Sequence, residues 1–460
     1  IRDQPRSRGL GDVYKRQAMG HQALDANTTG AKNTAFGRYA LTANTTADSN
    51  TAVGYNAMEA NTTGASNTGV GHEALGSNTT ADNNTAVGFK AMQDNTTGAS
   101  CTAVGRYALT NNTTGGSNTG LGLNTLEQNT TGAEQTAVGN QALEANTTGA
   151  YNVALGYRAL WKNTTANSNV AVGYGVLDAN TTGAENTAIG TNALTSNTTA
   201  SNNTAVGSNA LNVNTTGTAN VAVGHDSLEN NTASNNVAIG FEAGKANTTG
   251  SELVAVGAYA SAAQTTGQDN TSLGYAALYS TSTGSYNTGL GYAALYTQST
   301  PSHNTAVGNL SLYQTTTGEN NTAVGSNSLR TNSTGDKNCA LGIDALYSNT
   351  TGDNNVAVGR RALYSNTTGG DNTALGCNAL YSNTTASYNV AIGLQALESN
   401  TTGDRNVAIG KGAMETNTVG DRNTAIGVGA LTTLNPSSCL LYTSDAADEG
   451  LGVDLGGRRI

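Results

Sequence analysis

An all-β fold, a parallel β-solenoid, is predicted by three features of this chain. First, the phrase NVAVGRRALYSNTTGGD at 355–371 is followed at once by NTALGCNALYSNTTASY and then by NVAIGLQALESNTTGDR. Copies of this phrase recur at a period of about 17 residues, roughly two dozen of them, from Ala18 to about Ser437. Second, one column of the repeat is glycine in every copy. Third, the column two places before it is only ever Ala, Gly or Ser. An array of this kind stacks a small unit along one axis, with each unit touching only its neighbours. The single period therefore overrides the several globular domains that 460 residues would otherwise suggest.

NTAVGYNAMEANTTGAS, 50–66, serves as one coil. In an extended TAV segment Thr51 and Val53 share one face, and Ala52 and Gly54 the other. The Val53 column is Val, Ile, Leu, Phe or Met, so it is expected to be buried. Val53, Val70 and Val87 should then form a straight internal column. The always-small Ala52 column implies that something passes too close for a larger side chain. The invariant Gly54 column marks a sharp turn or a positive φ. The intervening ALxx segment fits a second short strand, an irregular turn or one helical turn, with strand or turn favoured because Gly and Asn-Thr flank it so closely. NTTG then supplies turn chemistry. Stacking at about 4.8 Å per coil would make a rod of roughly 115 Å.

The array occupies 18–437, and the ends are set apart from it. SRGLGDVYKRQ, within 1–17, resembles a translated sequencing-library adapter, and CLLYTSDAADE with VDLGGRRI, within 438–460, resembles its partner. Such scars are kept out of fold reasoning, and the natural termini are expected to lie beyond the chain.

Composition narrows the function. The chain has 58 Gly but 3 Pro, 1 Trp and 3 Phe, and a net charge of -10. An acidic surface with no basic stripe argues against nucleic acid, and against electrostatic binding to an anionic membrane. Each copy offers few large apolar residues, so a thin core is expected and self-association should supply further burial. Cys101, Cys339 and Cys377 fall in three different columns, which gives neither a disulfide framework nor a metal-ligand spacing.

NVAIG at 389–393 and 406–410 resembles the head repeats of YadA-like trimeric autotransporter adhesins, whose signature reads close to N-S-V-A-I-G-x-x-S. The resemblance covers the array but departs from that family in its longer period and in the AL pair followed by NTTG. It implies a left-handed parallel β-roll, a homotrimer, and binding of host or environmental surfaces, whether protein or glycan, from the cell surface or an extracellular position. Similar arrays also occur in phage tail fibres, which makes a tail-fibre shaft on a virion the first alternative. An ice-binding solenoid is the second, from the repeating Thr columns.

The NTT triplets match the glycosylation sequon, but a repeat built on Asn-Thr-Thr turns produces sequons by accident. Asp353, Asp371, Asp404 and Asp421 in glycine turns invite a calcium reading, yet one carboxylate per turn is too few for an oxygen cage. His21, His72 and His225 share the column after the glycine, and His303 lies in another, which reads as surface variation. No paired carboxylates and no Ser-His-Asp set are confined to one region, so no catalytic residue, cofactor or metal is expected and the chain reads as a non-enzyme. Only ENNTASN and LVAVGAYASAAQ (253–264) break the repeat.

The sharpest local signal is aromatic. The column after the Leu of ALx is mostly polar in the first half, with Trp161 an exception. It then becomes Tyr279, Tyr296, Tyr313, Arg330, Tyr347, Tyr364 and Tyr381. Stacked coils would bring these rings into a ladder, serving as a surface-binding stripe or as a packing contact.

Overall fold

The computed structural model describes residues 16–432 and 441–443. The chain divides into two units, Ile1–Ala219 and Asn220–Ile460. Each unit is a parallel β-solenoid whose coils contribute one three-residue strand apiece. Strands run from Gln17–Met19 to Thr204–Val206 in the first unit and from Val221–Val223 to Leu441–Thr443 in the second. No helix occurs among the described residues.

Register follows the repeat directly. Thr51 pairs with Thr68, Ala52 with Gly69 and Val53 with Val70, an offset of 17 residues. Val221 pairs with Val237 instead, an offset of 16, so the residue missing at ENNTASN is absorbed in the turn and the ladder continues in phase. Leu441–Thr443, inside the stretch the sequence sets apart, pairs with Thr424–Ile426. Residues 1–15, 433–440 and 444–460 lie outside the described residues, and with them most of both adapter-like ends.

The strands end where the glycine column begins. Gly54 sits at φ 142, and a Cβ there would lie 2.3 Å from the carbonyl oxygen of Gly71 in the next coil. Both the dihedral and the close approach exclude a side chain.

The two faces of the strand are the reverse of the expectation. Ala52 is fully buried, whereas Val53 is 37% exposed. Val53, Val70 and Val87 do stack in a straight in-register column, but it runs along the outside. The interior is too narrow for a branched side chain at this point: a Cβ on Gly69 would already lie 2.9 Å from Met58 Cγ. The small column is small because it is the inside.

ALxx forms a turn rather than a second strand. Asn56 and Met58 both take left-handed φ, 53° and 54°, as the equivalent residues do in most coils. Such a conformation costs an ordinary residue about 1–2 kcal/mol. Here it turns backbone donors towards neighbouring coils: Asn56 N–H donates to Arg38 O and Met58 N–H to Ala74 O, both at 3.0 Å. The same turn drives the Leu or Met side chain inward. Leu41, Met58, Leu75, Met92 and Leu109 are all fully buried, and each stabilises its coil by roughly 1.5–3 kcal/mol.

The rest of the interior is amide. Asn67 N–H donates to Asn50 Oδ1 at 2.9 Å, and Asn50 Nδ2 donates to Gly64 O at 2.8 Å. A second column runs beside the first, with Asn61 Nδ2 donating to Asn44 Oδ1 at 3.1 Å and to Gly64 O at 2.9 Å. These asparagines are fully buried. Two asparagine ladders thus supplement the thin apolar core, their amides bonded within the coil and to the coil beside it.

The break at 253–264 is internal compensation. Gly244 stands where other coils place Leu, and Leu253 stands where they place Asn. A Cβ on Gly244 would lie 3.1 Å from Leu253 Cδ2, so the second side chain fills the volume the first vacates. One coil later Ser261 and Ser272 replace Leu and Ala, and their hydroxyls bond each other at 2.9 Å.

Candidate functional site

The tyrosine column lies entirely in the second unit, on the turn that follows each buried Leu. Because the preceding Leu points inward, the next residue emerges half-buried at the surface. Tyr279 and Tyr296 stack with ring centroids 5.1 Å apart, and Tyr296 and Tyr313 at 5.2 Å. Tyr347, Tyr364 and Tyr381 form a second stack at 5.1 Å per step. Arg330 joins the two: its guanidinium carbon lies 6.0 Å from the Tyr313 ring and 5.6 Å from the Tyr347 ring, and Nη1 donates to the Tyr347 hydroxyl at 2.8 Å. The arginine that interrupts the sequence run is a cation bridge in the structure. Burial, followed by the neighbouring phenols, raises the pKa of Tyr296 and of Tyr364, which keeps these hydroxyls protonated donors.

Parallel planes mean that the rings turn their faces to one another and their edges and hydroxyls to solvent. Face-on contact with a ligand is therefore unavailable within a stack.

A further aromatic column stands just after the invariant glycine. Tyr275 and Tyr292 stack there at 5.5 Å, exposed by 50% and 53%. Between this pair and Tyr296 and Tyr313 runs a groove of about 350 Å³, lined also by Ala276, Ala293, Leu310 and Arg330. In the first unit the same column holds Tyr55, His72 and Phe89 stacked at 5.1 and 5.2 Å. Taken against one another the histidines are scattered, and the runs emerge only when Tyr and Phe of the same column are counted with them. In fact His21, His72, His225 and His303 each pack on a Tyr or Phe ring. Trp161 takes the cation of Arg158 at 3.7 Å and donates its Nε1–H to Glu144 at 3.0 Å.

The remaining candidates have structural partners. Asp353 Oδ1 accepts the Asp336 N–H at 2.8 Å, and Asp421 Oδ1 accepts the Asp404 N–H at 2.7 Å. Asp404 Oδ1 in turn accepts the Ser387 N–H at 2.7 Å. Asp371 is exposed and hands its own N–H to Asp353 O at 2.9 Å. The carboxylates of Asp353, Asp404 and Asp421 link coil to coil, and no group of three or more potential metal ligands occurs among the described residues. The sequon asparagines are the buried second ladder, so their amides are inaccessible in the folded chain. The first Thr of NTT spends its hydroxyl on the next coil, as Thr62 Oγ1 does on Thr79 O at 3.0 Å. Cys101, Cys339 and Cys377 are free thiols. No helix of the described residues is long and apolar enough to cross a membrane. No family model matches the chain, and no curated protein is similar to it at a significant level.

Proposed function

We propose that this chain is the structural and adhesive repeat array of a surface protein, self-associated as a homotrimer and without catalytic activity. The observation that carries the reading is the outward column at the third strand position. In every coil from Phe36 to Ile426 it is Val, Ile, Leu or Phe, although it faces out. Val53, Leu121, Ile239 and Leu341 are among its exposed members. A solvated face would accept polar residues, and an apolar stripe running along each unit is seldom left uncovered. Its period matches only a partner with the same repeat, which is a second copy of the chain. Each coil adds tens of Å², so about a dozen coils approach the roughly 800 Å² per partner of a standard interface.

The number three, the adhesive role and a cell-surface or extracellular setting rest on the resemblance to YadA-like heads. A tail-fibre shaft and an ice-binding solenoid remain the alternatives, and the consumption of one Thr column by backbone bonds disfavours the second. Sedimentation of the intact chain tests the reading. A trimer is expected, with association and fold lost together on dilution. Replacing Val53, Val70 and Val87 with Lys should disperse it. A stable, folded wild-type monomer at micromolar concentration would contradict the proposal.

A further inference from the structure

The groove in the second unit is a coordinated local departure from the repeat. GYAALY occurs twice in succession, at 274–279 and 291–296, and changes three columns together. The residue after the glycine becomes Tyr275 and Tyr292, and the residue after the Leu becomes Tyr279 and Tyr296. The residue after that first tyrosine, which in other coils ranges from Gly175 and Asn56 to Glu73, Lys90 and Tyr259, is Ala276 and Ala293. Two rows of phenols are raised, with only a methyl group between them in each of these coils.

The interior of the same coils is weakened. The turn asparagine is replaced by Gln264, Thr281, Gln298 and Thr315 in four successive coils, and the buried hydroxyls of Thr281 and Thr315 find no hydrogen-bond partner. Departures from an otherwise self-consistent pattern concentrate where a surface is selected for something other than stability.

We propose that this groove binds an acidic polysaccharide, a chain of pyranose uronates laid along the coil axis. The inference rests on the adhesive reading and deepens it. The volume of about 350 Å³ is in the range of ligand-binding clefts. Its walls are the edges of stacked rings, which carry the positive side of the aromatic quadrupole, and phenol hydroxyls. Arg330 closes one end, and no carboxylate among the described residues is within ion-pair reach of it or lines the groove. In a chain of net charge -10 the groove is therefore lined by phenol hydroxyls and one cation, with no negative side chain. Ala276 and Ala293 lie buried beneath the phenols, and half-buried Leu310 offers the apolar patch that suits the C–H face of a sugar ring. Neighbouring ring centroids lie 5.1 to 5.5 Å apart, close to the advance per sugar of an extended, equatorially linked pyranose chain, on a coil rise of about 4.8 Å that keeps the two in step over the few coils of the groove. Successive sugars would meet successive coils in register.

The test is calorimetric titration of the intact chain with β-linked oligomannuronate, with a neutral cello-oligosaccharide of the same geometry, and with gelatin. The variants are Ala276→Gln with Ala293→Gln, which restores a residue other coils carry in that column, and Arg330→Gln. Oligomannuronate is expected to bind the wild type, and both variants should weaken it by at least about tenfold per folded molecule. Unchanged affinity in the refilled variant, equal affinity for the neutral oligosaccharide, or binding of gelatin alone would overturn the proposal. A self-associated wild type that binds none of the probes removes this inference and leaves the structural reading standing. A folded monomer that still binds oligomannuronate does the reverse.

Discussion

An asparagine inside these coils does what a backbone peptide does in a sheet, accepting from one neighbour and donating to another. Cys101 shows what the amide contributes, because it occupies the same position with a weaker group. Asn118 N–H reaches Cys101 Sγ at 3.5 Å, and the thiol reaches Gly115 O at 3.4 Å. The amide ladder makes the equivalent bonds at 2.8 to 2.9 Å. Burial also raises the thiol pKa, despite the backbone donors at Asn118 and Ser117, so the sulfur stays neutral and unreactive. Cys101→Asn should therefore stabilise its coil by about 1 kcal/mol, read as slower hydrogen exchange at the Asn118 amide. Unchanged or faster exchange would mean that the ladder contributes little. These asparagines were legible in the sequence as turn residues but not as core, since Asn is usually a surface residue. The available signal was the pattern of replacement: the leading asparagine gives way to Cys101, Gln135 and Leu253, and a column that admits Cys and Leu but no charged residue marks an interior position.

At the scale of one coil, strand, glycine corner and NTTG bend were readable from residue type alone. Which face of TAV points inward was not. Alternation assigns residues to two faces and leaves unstated which one is the core; the larger residue is the natural choice in a wide sandwich and the wrong one in a coil this narrow. The broken coil was visible as a break, but its compensation required the structure. Gly244 and Leu253 form a matched pair, and a double-mutant cycle should find them strongly coupled. Gly244→Leu alone overpacks against Leu228 and Leu253, at a cost of about 1–3 kcal/mol. Leu253→Asn alone opens a cavity, at about 2–5 kcal/mol. Together they rebuild the ordinary coil and should return stability to near the parent, a coupling of at least about 2 kcal/mol in thermal unfolding. Additive losses would show that the two sites do not share one space.

For each unit as a whole, the fold class was legible because a strict period leaves few architectures open, and parallel in-register stacking is what it requires. The tyrosine column was legible too, from its abrupt onset near Tyr279. The groove beside it was not, because it arises from a second column and from what Ala276 and Ala293 leave out. In both units one repeat makes one coil. Spin labels placed in pairs at the exposed second threonine of NTT, all within the first unit, test it directly. Thr63 with Thr131 spans four repeats and Thr63 with Thr199 spans eight. With labelled chain diluted into unlabelled chain, pulsed dipolar measurement should give backbone separations near ~19 Å and ~38 Å, a constant step per repeat. Separations that fail to grow in proportion to the number of repeats, or that grow by the wider step of packed helical hairpins, would contradict the solenoid.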